Sequence, residues 1–374
     1  MRVLIVHNRY QAEGGEERAV AEIASLLSRA GHTVEALERS SADVGRARAG
    51  RSLLIGGVEA EAVATAARRL RADVVHAHNV HPLFGWRALA AARACGARTV
   101  LHLHNYRLFC AVGISYRNGR PCFDCRGRNT LPGLLHGCRG SLAEGIAYGA
   151  GLSLQQPQLL RQADAMVALS GAQHARLVEL GVPAGRLSVL SNFVADSGFA
   201  SESRAQDGSY VLVSGRLVEE KGFDVAIAAA RAASVPLVIA GAGPDELRLR
   251  SLAEGADVRF AGWLPAPELA HLRSGAAVVL VPSRCEDVCP YSVLDALAAG
   301  VPVLVSDRGG LPEIAGSDVT LGADDGRAWS AALRELWSNA ALRHERGERA
   351  LTRARERFGE HRYLERLLAI YRGW

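Results

Sequence analysis

Short apolar runs alternate with helix-like segments along almost the whole chain, and no other feature limits the fold as strongly. The first apolar run is Val3–Val6, and others follow at Val74–Ala77 and Thr99–Leu103. A second series begins at Tyr210–Ser214 and reaches Val303–Ser306. Strands that alternate with helices are typical of parallel sheets covered by helices. We therefore predict an α/β fold with two Rossmann-like, doubly wound parallel-sheet domains.

The length of the chain also favours two domains, because 374 residues exceed what one ordinary hydrophobic core encloses. The polar segment 195–208 predicts a linker between a domain at 1–190 and a second domain at 209–360. An amphipathic helix is predicted at 361–374, and packing against the first domain is one open option for it. Doubly wound sheets bind ligands at the C-terminal ends of their strands, so two domains that face each other predict a site in a central cleft.

The stretch VLVSGRLVEEKGFDVAIAAA at 211–230 has the pattern of a strand, a glycine turn and a helix. Arg216 and Lys221 lie on the turn, where two cations and backbone N–H groups can bind a diphosphate. Lys221 is the only lysine among 44 basic residues. An ammonium and a guanidinium are not interchangeable at a phosphate, so we interpret this lysine as functional rather than as an accidental surface charge.

The stretch SRCEDVCPYSVLDALAAGVPVLVSDRGGLPEI at 283–314 places acidic residues around the start of a helix. Pro290 suits the first turn, and the positive end of the helix dipole would then point at an anion. Asp287 lies on the loop before this helix and Asp295 inside it, where carboxylates can bind sugar and ribose hydroxyls. Glu286 competes for the first role. A solvated loop and a capped helix form the structural alternative, which the neighbouring phosphate-binding pattern disfavours.

Together these two stretches resemble glycosyltransferase family 4, a group of retaining enzymes with the two-domain GT-B fold. The family's G-R-x4-K-G motif corresponds to 215–222, and its E-x7-E motif corresponds to Asp287 and Asp295. Both acidic positions hold aspartate instead of glutamate. Each side chain is one methylene shorter, which shortens the reach of Asp287 to the sugar and of Asp295 to the ribose.

The first half resembles the same family more loosely. Gly14-Gly15 matches a glycine-rich loop that approaches the donor phosphates, His104 matches a position next to the transferred sugar, and Asn192 matches the asparagine that opens the second domain. The predicted catalytic residues are His104, Asp287, Arg216 and Lys221. The predicted donor-binding residues are Gly14, Gly15, Gly215, Arg216, Lys221, Gly241, Gly243, Cys289, Pro290, Tyr291, Ser292 and Asp295. A structural histidine at a strand end is the alternative at His104.

The resemblance implies transfer of a sugar from a nucleotide-diphosphate sugar, with UDP, GDP or another nucleotide, to a glycan or lipid-linked acceptor. It implies an acceptor-side domain at 1–190, a donor domain at 209–360 and a setting in bacterial polysaccharide or cell-envelope glycan biosynthesis. It also implies that catalysis requires no cofactor, because Arg216, Lys221 and the helix near Pro290 would balance the diphosphate charge. A nucleotide-sugar epimerase on the same fold and a non-catalytic sugar-nucleotide binding protein are the alternatives.

Two further patterns concern cofactors. Gly241 and Gly243 follow a strand, but the dinucleotide-binding pattern G-x-G-x-x-G fails at Glu246, which argues against a nicotinamide or flavin cofactor. The resemblance places this loop beside the nucleotide base instead. Four cysteines, Cys110, Cys122, Cys125 and Cys138, lie within an insertion at about 106–140. They are interpreted as reduced thiols, and a structural zinc site is the alternative, because their second pair lacks the spacing of a zinc ribbon.

Charge is distributed unevenly along the chain. Residues 1–195 contain 23 arginines against 14 acidic residues, whereas the remainder contains 21 basic and 25 acidic residues. A basic first half favours peripheral contact with an anionic membrane surface, and a solvated arginine surface explains it equally well. No nucleic-acid-binding motif accompanies the charge, so no nucleic acid partner is expected. The absence of a signal-like start and of a long apolar stretch predicts a cytoplasmic protein.

Overall fold

The computed structural model of the chain describes residues 1–10, 14–40 and 42–373. Within this part the chain forms two compact units. The first unit comprises residues 1–115 and 122–191 together with the segment from Tyr363 onward, and the second comprises 116–121 and 192–362. Each unit contains one six-stranded parallel sheet, which confirms the predicted pair of Rossmann-like domains.

The strands are β1 (Arg2–Arg9), β2 (Thr33–Ser40), β3 (Val74–Ala77), β4 (Arg98–Leu103), β5 (Tyr116–Arg117), β6 (Arg120–Pro121), β7 (Ala165–Ala168), β8 (Leu187–Val189), β9 (Tyr210–Ser214), β10 (Leu237–Ala240), β11 (Val258–Gly262), β12 (Ala276–Val281), β13 (Val303–Ser306) and β14 (Thr320–Leu321). The α-helices are α1 (Gly15–Arg29), α2 (Arg46–Ile55), α3 (Ala60–Leu70), α4 (Gly85–Ala94), α5 (Leu131–Leu135), α6 (Leu142–Gln162), α7 (Gly171–Glu179), α8 (Phe223–Ala233), α9 (Glu246–Ala253), α10 (Ala266–Ser274), α11 (Tyr291–Ala298), α12 (Leu311–Ala315), α13 (Gly326–Ser338), α14 (Ala340–Phe358) and α15 (Glu360–Arg372).

The sheet of the first unit has the strand order β2-β1-β3-β4-β7-β8. Its central strands are buried along their whole length at β3 and β7, as expected when helices cover both faces of a parallel sheet. The chain runs outward from β1 to β2 and then returns to place β3 on the other side of β1. This reversal creates a topological switch point between β1 and β3, where ligands of doubly wound sheets bind.

The sheet of the second unit has the strand order β11-β10-β9-β12-β13-β14, and its switch point lies between β9 and β12. Apolar residues of β9, β10, β12 and α8 form the core of this unit, which Trp329 and Leu333 of α13 close on one side. Both residues of α13 are fully buried. The small strands β5 and β6 form a separate antiparallel hairpin.

The predicted linker and the predicted terminal helix are both well packed. Residues 195–208, the predicted linker, make their contacts inside the second unit. There Ser203 donates a hydrogen bond to the carbonyl of Gly300 at 2.6 Å, and Arg343 of α14 donates to the carbonyl of Ala205 at 2.9 Å. In the terminal helix α15, Tyr371 is buried in the first unit. In the described part of the chain, no helix combines the length and apolarity needed to span a membrane.

Candidate functional site

Two loops meet at the switch point of the second unit. One follows β9 and carries Lys221, and the other follows β12 and carries Asp287. The carbonyl of Glu220 accepts hydrogen bonds from the N–H groups of Arg284 and Cys285, at 2.8 and 3.3 Å. The loops are therefore joined through the backbone, which fixes the distance between their side chains.

The backbone conformation at Gly222 shows why a glycine follows the lysine in this motif. Its φ of +68° lies in the left-handed region, which side chains disfavour. A Cβ at this position would lie 2.0 Å from the carbonyl oxygen of Pro282, at the start of the second loop. Only glycine allows this close approach, and the approach places Lys221 beside the loop that carries Asp287.

The ammonium of Lys221 lies 2.5 Å from a carboxylate oxygen of Asp287. Burial alone would lower the pKa of Lys221, but the charges of Asp287, Cys285 and Glu220 more than offset it, so the pKa lies above its usual range. The side chain is 27% exposed. This lysine is therefore a permanently charged cation whose position beside Asp287 is fixed, and part of its side chain remains exposed.

Hydrogen bonds hold both the side chain and the backbone carbonyl of Asp287. Ser283 donates a hydrogen bond to the second carboxylate oxygen at 2.5 Å, and the carbonyl oxygen of Asp287 accepts one from the N–H of Gly310 at 2.7 Å. Gly309 lies so close that a Cβ there would be 2.4 Å from the Asp287 carbonyl oxygen. Gly309 and Gly310, which follow β13, therefore hold the loop that carries Asp287 in place. Ser283 is not among the predicted site residues, although it lies only four residues before Asp287.

The other predicted residues on this edge play more varied roles. Arg216 is 61% exposed and pairs with Glu220 at 3.2 Å rather than with either aspartate. Cβ atoms at Gly241 and Gly243 would lie 1.8 Å from the carbonyl oxygen of Gly215 and 2.3 Å from that of Leu217. These two glycines therefore allow the loop after β10 to pack against the loop after β9.

Helix α11 begins at Tyr291, directly after Pro290, as predicted. The carbonyl of Cys289 accepts a hydrogen bond from the side chain of Asn192 at 3.0 Å, so the asparagine that opens this unit anchors the start of the helix. Asp295 lies inside the helix and forms a buried ion pair with Arg273 of α10, at 3.1 Å. Sequence reasoning missed Arg273.

A second group of predicted residues lies at the switch point of the first unit. Gly14 caps helix α1, and the Glu17 carboxylate accepts hydrogen bonds from the N–H groups of Gly14 and Tyr10, both at 3.0 Å. A Cβ at Gly14 would meet only the Glu17 carboxylate, at 3.5 Å. Packing alone therefore does not require a glycine there, and Gly15 is the first residue of the helix.

His104 follows β4 and belongs to a stack of imidazoles. Its Nε2 lies 2.8 Å from Nδ1 of His78, and its ring is nearly parallel to that of His102, with the ring centroids 4.3 Å apart. Burial, together with the charges of His7 and His76, lowers the pKa of His104 to about 3. At neutral pH this histidine is uncharged, and it can donate or accept a hydrogen bond but cannot supply a cation.

Glu16, which the sequence analysis did not select, lines a pocket with His78, His104 and Asn105. Its carboxylate accepts a hydrogen bond from the Asn105 amide at 3.1 Å. Burial raises the pKa of Glu16 to about 7, whereas the nearby imidazole of His7 and hydrogen bonds from backbone N–H groups overcome burial at Glu17 and lower its pKa to about 2. The sequence GGEE at 14–17, at the start of the helix that follows the first strand, was the signal for these carboxylates.

None of the four cysteines of the insertion forms a disulfide bond in the structure. Burial, together with the charges of Cys110, Cys138 and Cys122, raises the pKa of Cys125 to about 11. Their sulfur atoms do not form a tight ligand set. Among the described residues, ligand atoms of three groups converge only at His76, His78 and His102.

Two family descriptions match this chain. "Glycosyl transferase 4-like domain" matches residues 14–192, and "Glycosyl transferases group 1" matches residues 196–353. WcaL of Salmonella typhimurium, a glycosyltransferase named for colanic acid biosynthesis, is 29% identical over 252 residues, which are 62% of this chain and 61% of WcaL. A D-inositol 3-phosphate glycosyltransferase of Kineococcus radiotolerans is 32% identical over 62% of each chain. The chain thus spans about three-fifths of the length of these relatives.

Solved structures share the fold over the full length. Sucrose-phosphate synthase from Thermosynechococcus elongatus has a TM-score of 0.72 at 17% identity and covers 99% of this chain and 98% of its own. HepE of Anabaena, solved in complex with UDP, has a TM-score of 0.67 at 15% identity, with complete coverage of both chains. The two sheets, the glycine-lysine loop and the two family matches lead to one conclusion: the chain belongs to the group 1 glycosyltransferases of family 4 and has the GT-B fold.

Proposed function

We propose that the protein is a retaining glycosyltransferase that transfers a sugar from a nucleotide-diphosphate sugar to a glycan or lipid-linked acceptor. The observation that carries this proposal is the partly buried contact between Lys221 and Asp287 at the switch point of the second unit. A positioned cation at a strand end suits a diphosphate, and the adjacent carboxylate suits sugar hydroxyls.

In this proposal Lys221 and the exposed Arg216 balance the charge that develops on the leaving diphosphate. Helix α11 presents its N-terminal N–H groups to the same anion, with Cys289, Pro290, Tyr291 and Ser292 forming the turn. Gly14 and Gly15 contact the donor phosphates, Gly215, Gly241 and Gly243 lie at the nucleotide, and His104 contacts the transferred sugar. Because Lys221 is already charged and positioned before any donor binds, little reorganisation accompanies the reaction.

Retention follows in this proposal from attack by the acceptor hydroxyl on the face that the diphosphate leaves. The departing phosphate oxygen accepts the hydroxyl proton, so no nucleophile from the protein is required. Asp287 orients the sugar through its hydroxyl groups, and Asp295, which is already bound to Arg273, supports donor binding. Catalysis then needs no cofactor besides the donor substrate itself.

The choice of first substrates follows from the relatives. HepE has been solved with UDP and with UDP-glucose, which makes UDP sugars the first donors to test, followed by GDP sugars. WcaL and AmsK of Erwinia amylovora are named for colanic acid and amylovoran biosynthesis, so we propose bacterial polysaccharide or envelope glycan assembly as the setting. The arginine excess of residues 1–195 supports peripheral contact with anionic lipid at the cytoplasmic face of the membrane.

The test begins with donor binding. A panel of nucleotide sugars is screened by thermal shift on the wild-type protein, on Lys221→Ala and on the matched control Arg327→Ala, whose arginine is exposed on α13. A donor that binds the folded state raises the melting temperature by mass action. We expect this rise in the wild type and in the control, and its loss in Lys221→Ala.

The positive donor is then incubated with lipid-linked oligosaccharides, and the product linkage is read by NMR. An α-linked donor should give an α-linked product. Conversion of the donor to its epimer without acceptor would instead identify an epimerase, and tight binding with no transfer to any acceptor would identify a binding protein. A β-linked product would disprove retention.

A further inference from the structure

Four histidines point from two neighbouring strands to the same face of the first sheet. His76 lies on β3 and His78 directly after it, whereas His102 lies on β4 and His104 directly after it. Side chains two residues apart share one face of a strand, and parallel pairing brings β3 beside β4. The rings accordingly stack, with interplanar angles of 17° between His76 and His102 and 22° between His78 and His102.

Three of these side chains bring ligand atoms together. One nitrogen from each of His76, His78 and His102 lies within 4.8 Å of the other two. Nδ1 of His102 is 3.2 Å from Nε2 of His76. Two nitrogens bound to one tetrahedral zinc at about 2.0–2.1 Å lie roughly 3.4 Å apart. This pair, which is hydrogen-bonded in the structure, has nearly the spacing of two ligands of one zinc ion, and the ion would take the place of the shared proton.

The second nitrogens of two rings are held by partners outside the group. Nδ1 of His76 is 2.8 Å from the hydroxyl of Tyr371, and Nδ1 of His78 is 2.8 Å from Nε2 of His104. If each Nδ1 carries the proton, both Nε2 atoms keep a free lone pair. Metal-binding histidines have this arrangement, because a hydrogen bond to the other nitrogen fixes the tautomer and the ring orientation.

The surroundings of the three rings exclude solvent. All three rings are at most 2% exposed. Within the described residues, Nε2 of His78 has no hydrogen-bond partner, which is costly for a buried polar atom.

We propose that His76, His78 and His102 bind a zinc ion inside the first unit. Three imidazoles suit zinc and related divalent transition metals, and the sulfur ligands of the insertion are not part of this group. The ion would fix the ring of His78, whose Nδ1 contacts His104. Zinc would thus act on the candidate site as a positioning element, and its binding does not depend on the proposed reaction.

The test uses the full chain, stripped of metal by a chelator and checked for folding by circular dichroism. Zinc content is measured after reconstitution, and Co²⁺ replaces Zn²⁺ as a spectroscopic probe. Imidazole ligands give visible d–d bands without the intense near-ultraviolet thiolate charge transfer that cysteine ligands add. We expect about one zinc per chain and a cobalt spectrum of nitrogen ligands in the wild type.

Variants assign the ion to the histidines. His102→Gln should lower zinc affinity by a factor on the order of 100, whereas His271→Gln, on the exposed surface of α10, should leave it unchanged. Folded wild-type protein that binds neither zinc nor cobalt would overturn the proposal, whatever the variants do. A thiolate charge-transfer spectrum that His102→Gln leaves unchanged would overturn it too, because the metal would then belong to the cysteines.

Discussion

The two units carry different kinds of polar groups at the same topological position. At the switch point of the second unit the side chains are charged and paired, as Lys221 with Asp287 and Arg284 with Asp224. At the switch point of the first unit they are buried imidazoles and a carboxylate, Glu16, with a raised pKa. Fixed charges suit an anionic ligand, whereas neutral groups suit hydrogen bonds to hydroxyls. The comparison teaches that one fold can serve two kinds of chemistry through the side chains at its switch points.

Removal of Lys221, the fixed cation of the second unit, should have the largest effect of the variants compared here. We predict that Lys221→Ala abolishes transfer, because losing a charged contact to a bound diphosphate costs about 2–5 kcal/mol. Lys221→Arg should also be poor, since a planar guanidinium cannot take the place of a compact ammonium 2.5 Å from Asp287. Steady-state kinetics and melting temperatures of both variants check this. Normal turnover by Lys221→Arg would disprove the argument from the single lysine.

Breaking the buried ion pair between Asp295 and Arg273 should lower the stability of the protein more than its catalytic rate. Asp295→Asn removes the charge opposite Arg273, whose side chain is 8% exposed, so we expect a loss of about 3 kcal/mol in the free energy of unfolding. The matched control is Asp318→Asn, because the pair of Asp318 with Arg349 is 47% and 60% exposed and should contribute little. Denaturant unfolding of both variants gives the comparison. Donor affinity should fall with Asp295→Asn as well, and equal stability losses in the two variants would contradict this view.

Two neighbouring carboxylates at the switch point of the first unit, Glu16 and Glu17, predict opposite dependences of stability on pH. The pKa of Glu16 is about 7 in the folded protein, against a reference value of 4.5. Between these values the folded state binds more protons than the unfolded state, so stability falls as pH rises from about 4.5 to 7 and stays low above it. Glu16→Gln should remove this loss and stabilise the protein at pH 8 by about 2 kcal/mol, with little effect at pH 4.

Thermal unfolding across pH checks the Glu16 prediction. Glu17 provides the contrast, because its pKa is lowered to about 2 and its contribution is therefore lost as pH falls below about 4.5. Glu17→Gln should destabilise the protein at pH 7. If both variants changed stability in the same direction at high pH, the opposite environments of these two carboxylates would be refuted.

Sequence reasoning reached the fold and the second unit more fully than the first. Apolar runs mark the parallel strands directly, and the first turn after Pro290 marks the start of α11. The sequence did not predict the ion pair of Asp295 with Arg273, because Arg273 lies on another helix and no local pattern marks it as a partner. It did not predict the histidine stack either. The i, i+2 spacing of His76 and His78 was visible, but the stack depends on β4 lying beside β3, which only the three-dimensional structure shows.

The smallest expected effect concerns which of two adjacent acids, Glu286 or Asp287, acts in the candidate site of the second unit. We predict that Asp287→Asn lowers turnover about tenfold or more, because an amide accepts hydrogen bonds from sugar hydroxyls more weakly than a carboxylate and no longer balances Lys221. Glu286→Gln is the matched variant, since Glu286 is the adjacent and longer acid. The structure favours Asp287, whose carboxylate contacts both Lys221 and Ser283. Matched kinetics with the same donor decide the question. If Glu286→Gln were inactive and Asp287→Asn normal, the acidic motif would be shifted by one residue, and the contact with Lys221 would serve only to hold the two loops together.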